Sequence, residues 1–357
     1  MQKSDGQMYA PKGKSKPVCE KGEFLVGVIG LDHGHIYGMC NGLEEAGAVI
    51  EVVYDPDQKK LEAFVVEYPT ARIASSEEAV LEDNTLDLVA SAAIPCDRGL
   101  LGLRVLDHDK DFFSDKPPFT TLAQVADARK KVAETGRKWF VYYSERLHDE
   151  SSVFAERLLE QKAIGDIVSI RGSGPHRLSA ASRPDWFFEK EKYGGILVDI
   201  GSHQIEQLLH FSGAEDATLV SSRVGNLYHP EYPELEDFGD ACLTTSNGIP
   251  CYFSLDWYTP QGLGAWGDGR LNIIGTKGYI ELRKYIDIAK DADGGHVFLV
   301  DEHGEQHFKV GGQVGFPFFG RLIRDCLDRS ETAMKQEHAF RAIELAIEAE
   351  IRAIRIL

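Results

Sequence analysis

Residues 24–38, FLVGVIGLDHGHIYG, decide how this chain is read. The apolar run from Phe24 to Ile29 ends abruptly at Gly30, as does a strand buried on both faces of a parallel sheet. The glycine-rich turn Gly30-Leu-Asp-His-Gly34-His-Ile-Tyr-Gly38 follows, and the pattern predicts a helix over 36–46. Glycines in a strand-to-helix turn let backbone amides approach a pyrophosphate, and the helix N-terminus adds a positive dipole. Set against G-x-G-x-x-G, the second glycine position holds Asp32. A carboxylate there is unfavourable beside a pyrophosphate unless it turns away, for instance to cap the helix. The bland alternative is a tight turn with no ligand.

Working outward, VIEVVYD (49–55), LDLVASAAIP (86–95), DFFSDKP (111–117) and KWFVYYSE (138–145) read as buried strands. Helical patterns over 59–67, 99–108 and 122–135 alternate with them. This predicts an α/β domain with a doubly wound parallel sheet over 24–145. From 146 to 357 the style changes to α+β. A helix over 150–162 precedes strand-like stretches beginning at Asp166, Ala217, Gly239, Pro250, Arg270, Gly278 and His296. They predict a large, mostly antiparallel open sheet with helices on one side. Residues 337–357 read as one long amphipathic helix. Residues 1–23 form a polar arm, either disordered or laid over a surface. The cleft between the domains is the default site.

Bulk properties bound the function. A chain of 357 residues suits two domains. Its net charge of −18 repels phosphate backbones and anionic lipids, which argues against nucleic acid and membrane partners. Six scattered cysteines with no C-x-x-C pair predict reduced thiols. No secretory h-region and no apolar run of spanning length is visible, so a soluble, cytoplasmic protein is expected.

Candidate chemistry gathers at the strand ends. Asp55 can accept bonds from both ribose hydroxyls of NAD and would repel the 2′-phosphate of NADP. Ala93, Pro95, Asp115 and Lys116 join Gly30, Asp32, His33, Gly34, His35 and Asp55 as the cofactor-facing set. His33 and His35 are expected to meet phosphate or ribose, or to pack; too few ligands surround them for a metal, and none is expected. Lys116, after the strand at 111–115, can accept a proton or hold a hydroxyl oxygen; alternatively it is a surface lysine. In Gly194-Gly195-Ile-Leu-Val-Asp199-Ile-Gly-Ser-His203-Gln-Ile-Glu206, Asp199 and His203 are four apart and would share a helix face. His203 suits proton transfer; the lesser alternative is a packed core histidine. Glu206 continues the face, so an Asp199/His203/Glu206 metal trio is a minor alternative, although oxidation with NAD needs no metal. Arg146, His176, Arg183 and Trp186 are candidate substrate contacts, since sugars offer apolar CH faces and hydroxyl edges. The glycine-rich loop 259–270 is expected to be mobile and to close over substrate.

Taken together, the Gly30 turn, Asp55, Asp115-Lys116-Pro117 and GG-x3-Asp199-x3-His203 resemble the glucose–fructose oxidoreductase / inositol dehydrogenase / rhizopine catabolism (Gfo/Idh/MocA) family over residues 24 to 357. That family commonly has Glu-Lys-Pro where this chain has Asp115-Lys116-Pro117. The resemblance implies a Rossmann domain followed by an α/β domain whose open sheet often serves oligomerisation, here as a homodimer or homotetramer. It implies NAD, with NADP less favoured, and a catalytic set of Lys116, Asp199 and His203. Arg146 falls where family members often place a substrate-facing arginine. The implied reaction moves a hydride to or from a hydroxyl carbon of a sugar or polyol. A non-catalytic NAD- or sugar-binding regulator, and an NAD-recycling lyase or hydrolase on glycosides, are the alternatives.

Overall fold

The computed structural model describes residues 6, 9–11 and 16–356. Of the polar arm expected over 1–23, residues 1–5, 7, 8 and 12–15 lie outside the described residues. The chain forms two compact units. One holds the described residues from Tyr9 to Tyr142 and returns for Phe316–Phe340; the other holds Gly6, Tyr143–Gly315 and the chain from Arg341 onward.

The first unit is the alternating half. Its elements are β1 (Leu25–Ile29), α1 (His35–Glu45), β2 (Val49–Tyr54), α2 (Gln58–Glu67), β3 (Arg72–Ile73), α3 (Glu77–Leu81), β4 (Leu88–Ser91), α4 (Pro95–Asp107), β5 (Asp111–Asp115), α5 (Leu122–Thr135) and β6 (Trp139–Tyr142). All strands are parallel, in the order β3-β2-β1-β4-β5-β6. Every residue of β4, β5 and β6 is buried, as the continuous apolar runs predicted. The order reverses direction between β1 and β4, and ligands bind beyond the carboxyl ends of strands at such a switch point. Local signals fix the helix ends. In α5, Thr121 and Gln124 form a reciprocal capping box, and Gly136 closes the helix in the left-handed region. The short β3 and α3 had no visible periodicity in the sequence.

The second unit comprises α6 (Ser144–Leu147), α7 (Glu150–Glu160), β7 (Ile167–Pro175), α8 (Lys190–Tyr193), α9 (Ile196–Asp199), α10 (Gly201–Ser212), β8 (Ala217–Gly225), β9 (Phe238–Thr245), β10 (Pro250–Asp256), β11 (Arg270–Gly275), β12 (Gly278–Arg283), β13 (His296–Asp301) and β14 (Gly304–Lys309). The chain then forms α11 (Pro317–Asp328), α12 (Gln336–Arg352) and β15 (Ile354–Arg355). The nine-stranded sheet runs β14-β13-β12-β11-β7-β10-β9-β8-β15. It is antiparallel except where β7 pairs with β10 and β8 with β15. Helices α7, α9 and α10 pack against it, while Val168, Val220, Tyr252 and Tyr279 are exposed on its strands.

Three expectations are corrected. The C-terminal helix stops at Arg352, and Ile354 pairs with Arg223 as a parallel edge strand; two residues are too few to show a period. Asp199 and His203 do not share one continuous helix. Asp199 ends α9, and the His203 N–H bonds the Ile200 carbonyl in the tight first turn of α10. Helix α11 was not anticipated. It buries Phe318, Phe319, Leu322 and Ile323 and lies with the first unit, where it packs on α1.

That packing depends on a missing side chain. A Cβ on Gly42 of α1 would lie 2.3 Å from the ring of the fully buried Phe319. Helix propensity favours alanine there by about 0.5–1 kcal/mol, but overpacking costs about 1–3 kcal/mol. Gly42→Ala is expected to lower the urea midpoint, and adding Phe319→Leu is expected to restore part of it. A Gly42→Ala protein as stable as wild type would show that the ring has room.

Candidate active site

The turn after β1 is laced to its neighbours. Gly30 has φ +82°, and a Cβ there would lie 2.8 Å from the Ala93 Cβ. Only glycine fits this crossing of the β1 and β4 loops. The Ala92 N–H donates to the Gly30 carbonyl at 3.2 Å, and the His33 N–H to the Ala92 carbonyl at 3.0 Å. Asp55, buried at the end of β2, accepts from the Leu31 N–H at 2.7 Å and the Asp57 N–H at 2.8 Å. The second strand's acid therefore holds the first strand's turn, and its remaining lone pairs could take ribose hydroxyls. Gly34 is the N-cap of α1 and brings no capping side chain. Asp32 does not cap the helix; its Oδ1 lies 2.6 Å from Lys60 Nζ. This lysine, in the first turn of α2, escaped the sequence reading because the pairing spans 28 residues.

Beneath the turn lies a second residue the sequence did not flag. Arg98 of α4 is fully buried. Its Nε donates to the Ala93 carbonyl (2.6 Å), its Nη1 to the carbonyls of Lys116 (2.5 Å) and Pro117 (3.0 Å), and its Nη2 to Asp115 Oδ2 (3.1 Å). It ties the end of β4 to the end of β5, and so fixes Lys116, which is itself buried. The Lys116–Pro117 peptide is cis. Asp115 Oδ1 also lies 2.9 Å from His35 Nδ1 and accepts from the Lys116 N–H, while Oδ2 lies 3.3 Å from His33 Nδ1. Asp115 is fully buried, so it acts as the post of this network rather than as an exposed cofactor contact.

Burial alone would raise the Asp115 carboxyl, but His35, Arg98 and His33 hold it far below the usual carboxylate range. Burial and the adjacent His35 ring hold His33 well below the ordinary histidine value of 6.5. His33, His35 and Asp115 offer three metal-type ligand atoms within 4.8 Å of one another. Arg98 already supplies a positive charge to that carboxylate, and the rings serve to brace the turn.

In the second unit, Gly194 and Gly195 have φ of +91° and +99°. A Cβ on Gly195 would lie 2.5 Å from the Glu350 carboxylate carbon. Glu350 of α12 and Glu236 face the Lys190 ammonium together. Their carboxylates accept from the Leu197 N–H (3.4 Å) and the Ile196 N–H (3.0 Å), which anchors the start of α9 and hence Asp199. Burial, then the Glu236 charge, pushes the Glu350 carboxyl up to about 7. His203 is buried, with its ring edge-on to Tyr143 at 6.2 Å. Its helix is set from below. Gln204 and Gln207 donate to Glu145 Oε2 at 2.8 and 3.3 Å, and the buried Lys284 donates to the Glu145 carbonyl at 2.6 Å.

The candidate substrate residues divide. Arg146 is committed to protein carboxylates: its Nε lies 2.8 Å and its Nη2 2.5 Å from Glu206 Oε1, and its Nη1 3.2 Å from Glu156. This corrects the substrate-facing expectation and removes Glu206 from any ligand set with Asp199 and His203. His176 packs on Trp257 and Trp266, with ring centroids 5.3 and 4.5 Å away. Gly6 of the arm lies against His176 and Trp266. Arg183 lies over Phe187 and Trp257 at 4.5 and 5.1 Å. Trp186 is buried nearby, edge-on to Phe187. The glycine-rich loop is pinned rather than free: Arg177 Nη2 donates to the carbonyls of Leu263 and Ala265, both at 2.8 Å.

Two buried groups give opposite pH slopes. Unfolded His33 takes up a proton as pH falls below about 6.5, while folded His33 resists it, so its contribution is lost as pH falls. His33→Asn is expected to flatten the drop in melting temperature between pH 7 and pH 5. Glu350 has the reverse sign. Its folded carboxyl keeps its proton to about 7 while the unfolded group ionises near 4.5, so stability falls as pH rises through that window. Glu350→Gln is expected to flatten the drop between pH 5 and pH 7.5. Unchanged slopes in either variant would clear that residue of the role.

Comparison with known proteins matches this geometry. Residues 24–143 match the model described as "Oxidoreductase family, NAD-binding Rossmann fold", and residues 153–281 the GFO/IDH/MocA C-terminal domain. A protein from Erwinia carotovora atroseptica SCRI1043 that carries the designation oxidoreductase has a crystal structure at 48% identity and TM-score 0.91, covering 94% of this chain and all of that one. D-xylose dehydrogenase from Paenarthrobacter nicotinovorans is 24% identical over 41% of this chain and 39% of its own length. Scyllo-inositol 2-dehydrogenase (NAD(+)) from Bacillus subtilis strain 168 is 25% identical over 66% of each. The chain thus spans less than two thirds of these curated relatives. The protein belongs to the Gfo/Idh/MocA family of oxidoreductases with an NAD-binding Rossmann fold.

Proposed function

We propose that the protein is an NAD-dependent dehydrogenase or reductase acting on a hydroxyl carbon of a sugar or polyol. The observation that carries this reading is the Arg98 clamp, which fixes Lys116 at the end of β5 beside the glycine turn that follows β1. The fit is local. The glycine-only crossing at Gly30 and the buried Asp55 offer the backbone approach and the ribose acceptor that NAD requires. Asp115 braces this turn through His33 and His35 and the Lys116 backbone through its N–H. When bound, the nicotinamide supplies the hydride acceptor or donor. The names of the two curated relatives, a D-xylose and a scyllo-inositol dehydrogenase, support the substrate class.

The chain's own residues have distinct tasks. Lys116 holds the reacting oxygen through its ammonium. His203 accepts the hydroxyl proton during oxidation and returns it during reduction. Asp199, at the end of α9, orients a neighbouring hydroxyl. His176, Arg183 and Trp186 offer an aromatic and cationic wall suited to a polyol's CH faces and hydroxyl edges. Among the described residues no helix is long and apolar enough to cross a membrane. The cytoplasm fits this cofactor, and the apolar side chains exposed on the nine-stranded sheet suit a homodimer or homotetramer.

Titration with NADH and NADPH, followed by a sugar and polyol screen for NADH production, tests the reading. His203→Asn is expected to lower kcat by about 100- to 10,000-fold with NADH affinity unchanged. Lys116→Met is expected to lower kcat comparably. Wild-type kcat in both variants would sink the assignment. Tight cofactor binding with no turnover of any polyol would favour a regulator.

A further inference from the structure

The charges around the end of β2 carry one more step. Lys60 Nζ lies between two carboxylates, 2.6 Å from Asp32 Oδ1 and 3.9 Å from Asp55 Oδ1. Asp32 stands in the first turn, where a dinucleotide site ordinarily has glycine beside the pyrophosphate. Asp55 stands where the adenosine ribose is read. Both Asp55 oxygens also hold backbone N–H groups, so this carboxylate is fixed in place. Lys60 is not fixed in this way. Its side chain is 34% exposed, and a lysine is a compact charge on a flexible stem.

A cation that close to the ribose acid is the group a 2′-phosphate would recruit. Its short contact, however, is with Asp32. The geometry points to Asp32 as a specificity-determining residue: by pairing with Lys60 it holds that ammonium away from the ribose 2′ position and leaves Asp55 alone to face it. The pair does a second job. Lys60 neutralises a carboxylate that would otherwise repel the pyrophosphate. The departure from glycine and the lysine that accompanies it thus act as one device favouring NAD over NADP. The inference rests on the nucleotide reading above and deepens it.

Four proteins test it: wild type, Asp32→Asn, Lys60→Ala and the double variant, each titrated with NADH and NADPH by bound-cofactor fluorescence. Wild type is expected to prefer NADH. Asp32→Asn frees Lys60, so NADPH affinity is expected to rise about tenfold relative to NADH. Adding Lys60→Ala is expected to abolish that gain. Lys60→Ala alone leaves Asp32 uncompensated and is expected to weaken both dinucleotides. Asp32→Gly, which also frees Lys60, is expected to repeat the Asp32→Asn result and guards against a folding artefact, with melting curves as a control. A cofactor ratio unchanged in both Asp32 variants, or a gain that survives Lys60→Ala, would overturn the proposal while leaving the nucleotide site intact. Wild type binding neither dinucleotide would overturn the nucleotide reading itself.

Discussion

The guanidinium of Arg98 is the constraint on which the first unit's site depends. A buried arginine must be matched by acceptors, because its charge cannot be left unpaired out of water. Here it finds three carbonyls and one carboxylate, contributed by the ends of two adjacent parallel strands. Those acceptors are the loop segments at the switch point of the sheet. The requirement to satisfy one guanidinium therefore sets the conformation of the Ala93 loop, the Asp115 side chain and the Lys116 backbone at once. Asp115 passes the constraint on to His33 and His35, and so to the glycine turn.

The second unit solves its own positioning problem with the same physics. Asp199 ends a four-residue helix that breaks before the twelve-residue helix carrying His203, and a single turn has little stability of its own. Buried polar groups compensate at both ends. Glu236 and Glu350 grip the first N–H groups of α9, while Glu145, Gln204, Gln207 and Lys284 fasten α10. Arg146 belongs to the same class: its bidentate grip on Glu206 stabilises the unit, which explains an arginine that looked like a substrate ligand.

Much of this was legible because it is local. The Gly30 turn, the helix over 122–135, the doubly wound parallel sheet and the open, mostly antiparallel sheet all follow from period, turn chemistry and strand length. What escaped was of two kinds. Elements such as β3 and β15 are two residues long and have no period to read. The pairings of Lys60 with Asp32, Arg98 with Asp115, and Arg146 with Glu206 join residues 28, 17 and 60 positions apart. A sequence shows that such residues exist and does not show whom they meet. Arg146 misled for this reason: its charge was visible and its partner was not.

The return of Phe316–Phe340 to the first unit has a consequence for synthesis. The nucleotide half begins near the amino end, but α11, whose Phe319 fills the space left by Gly42, is translated about 175 residues after β6. While the ribosome makes the intervening sheet, α1 waits with an apolar flank facing water. Such a long-range closure is slow and exposes sticky surface meanwhile. The nascent chain therefore keeps this flank uncovered until α11 emerges, and a message truncated before it would yield a nucleotide half that lacks part of its own core.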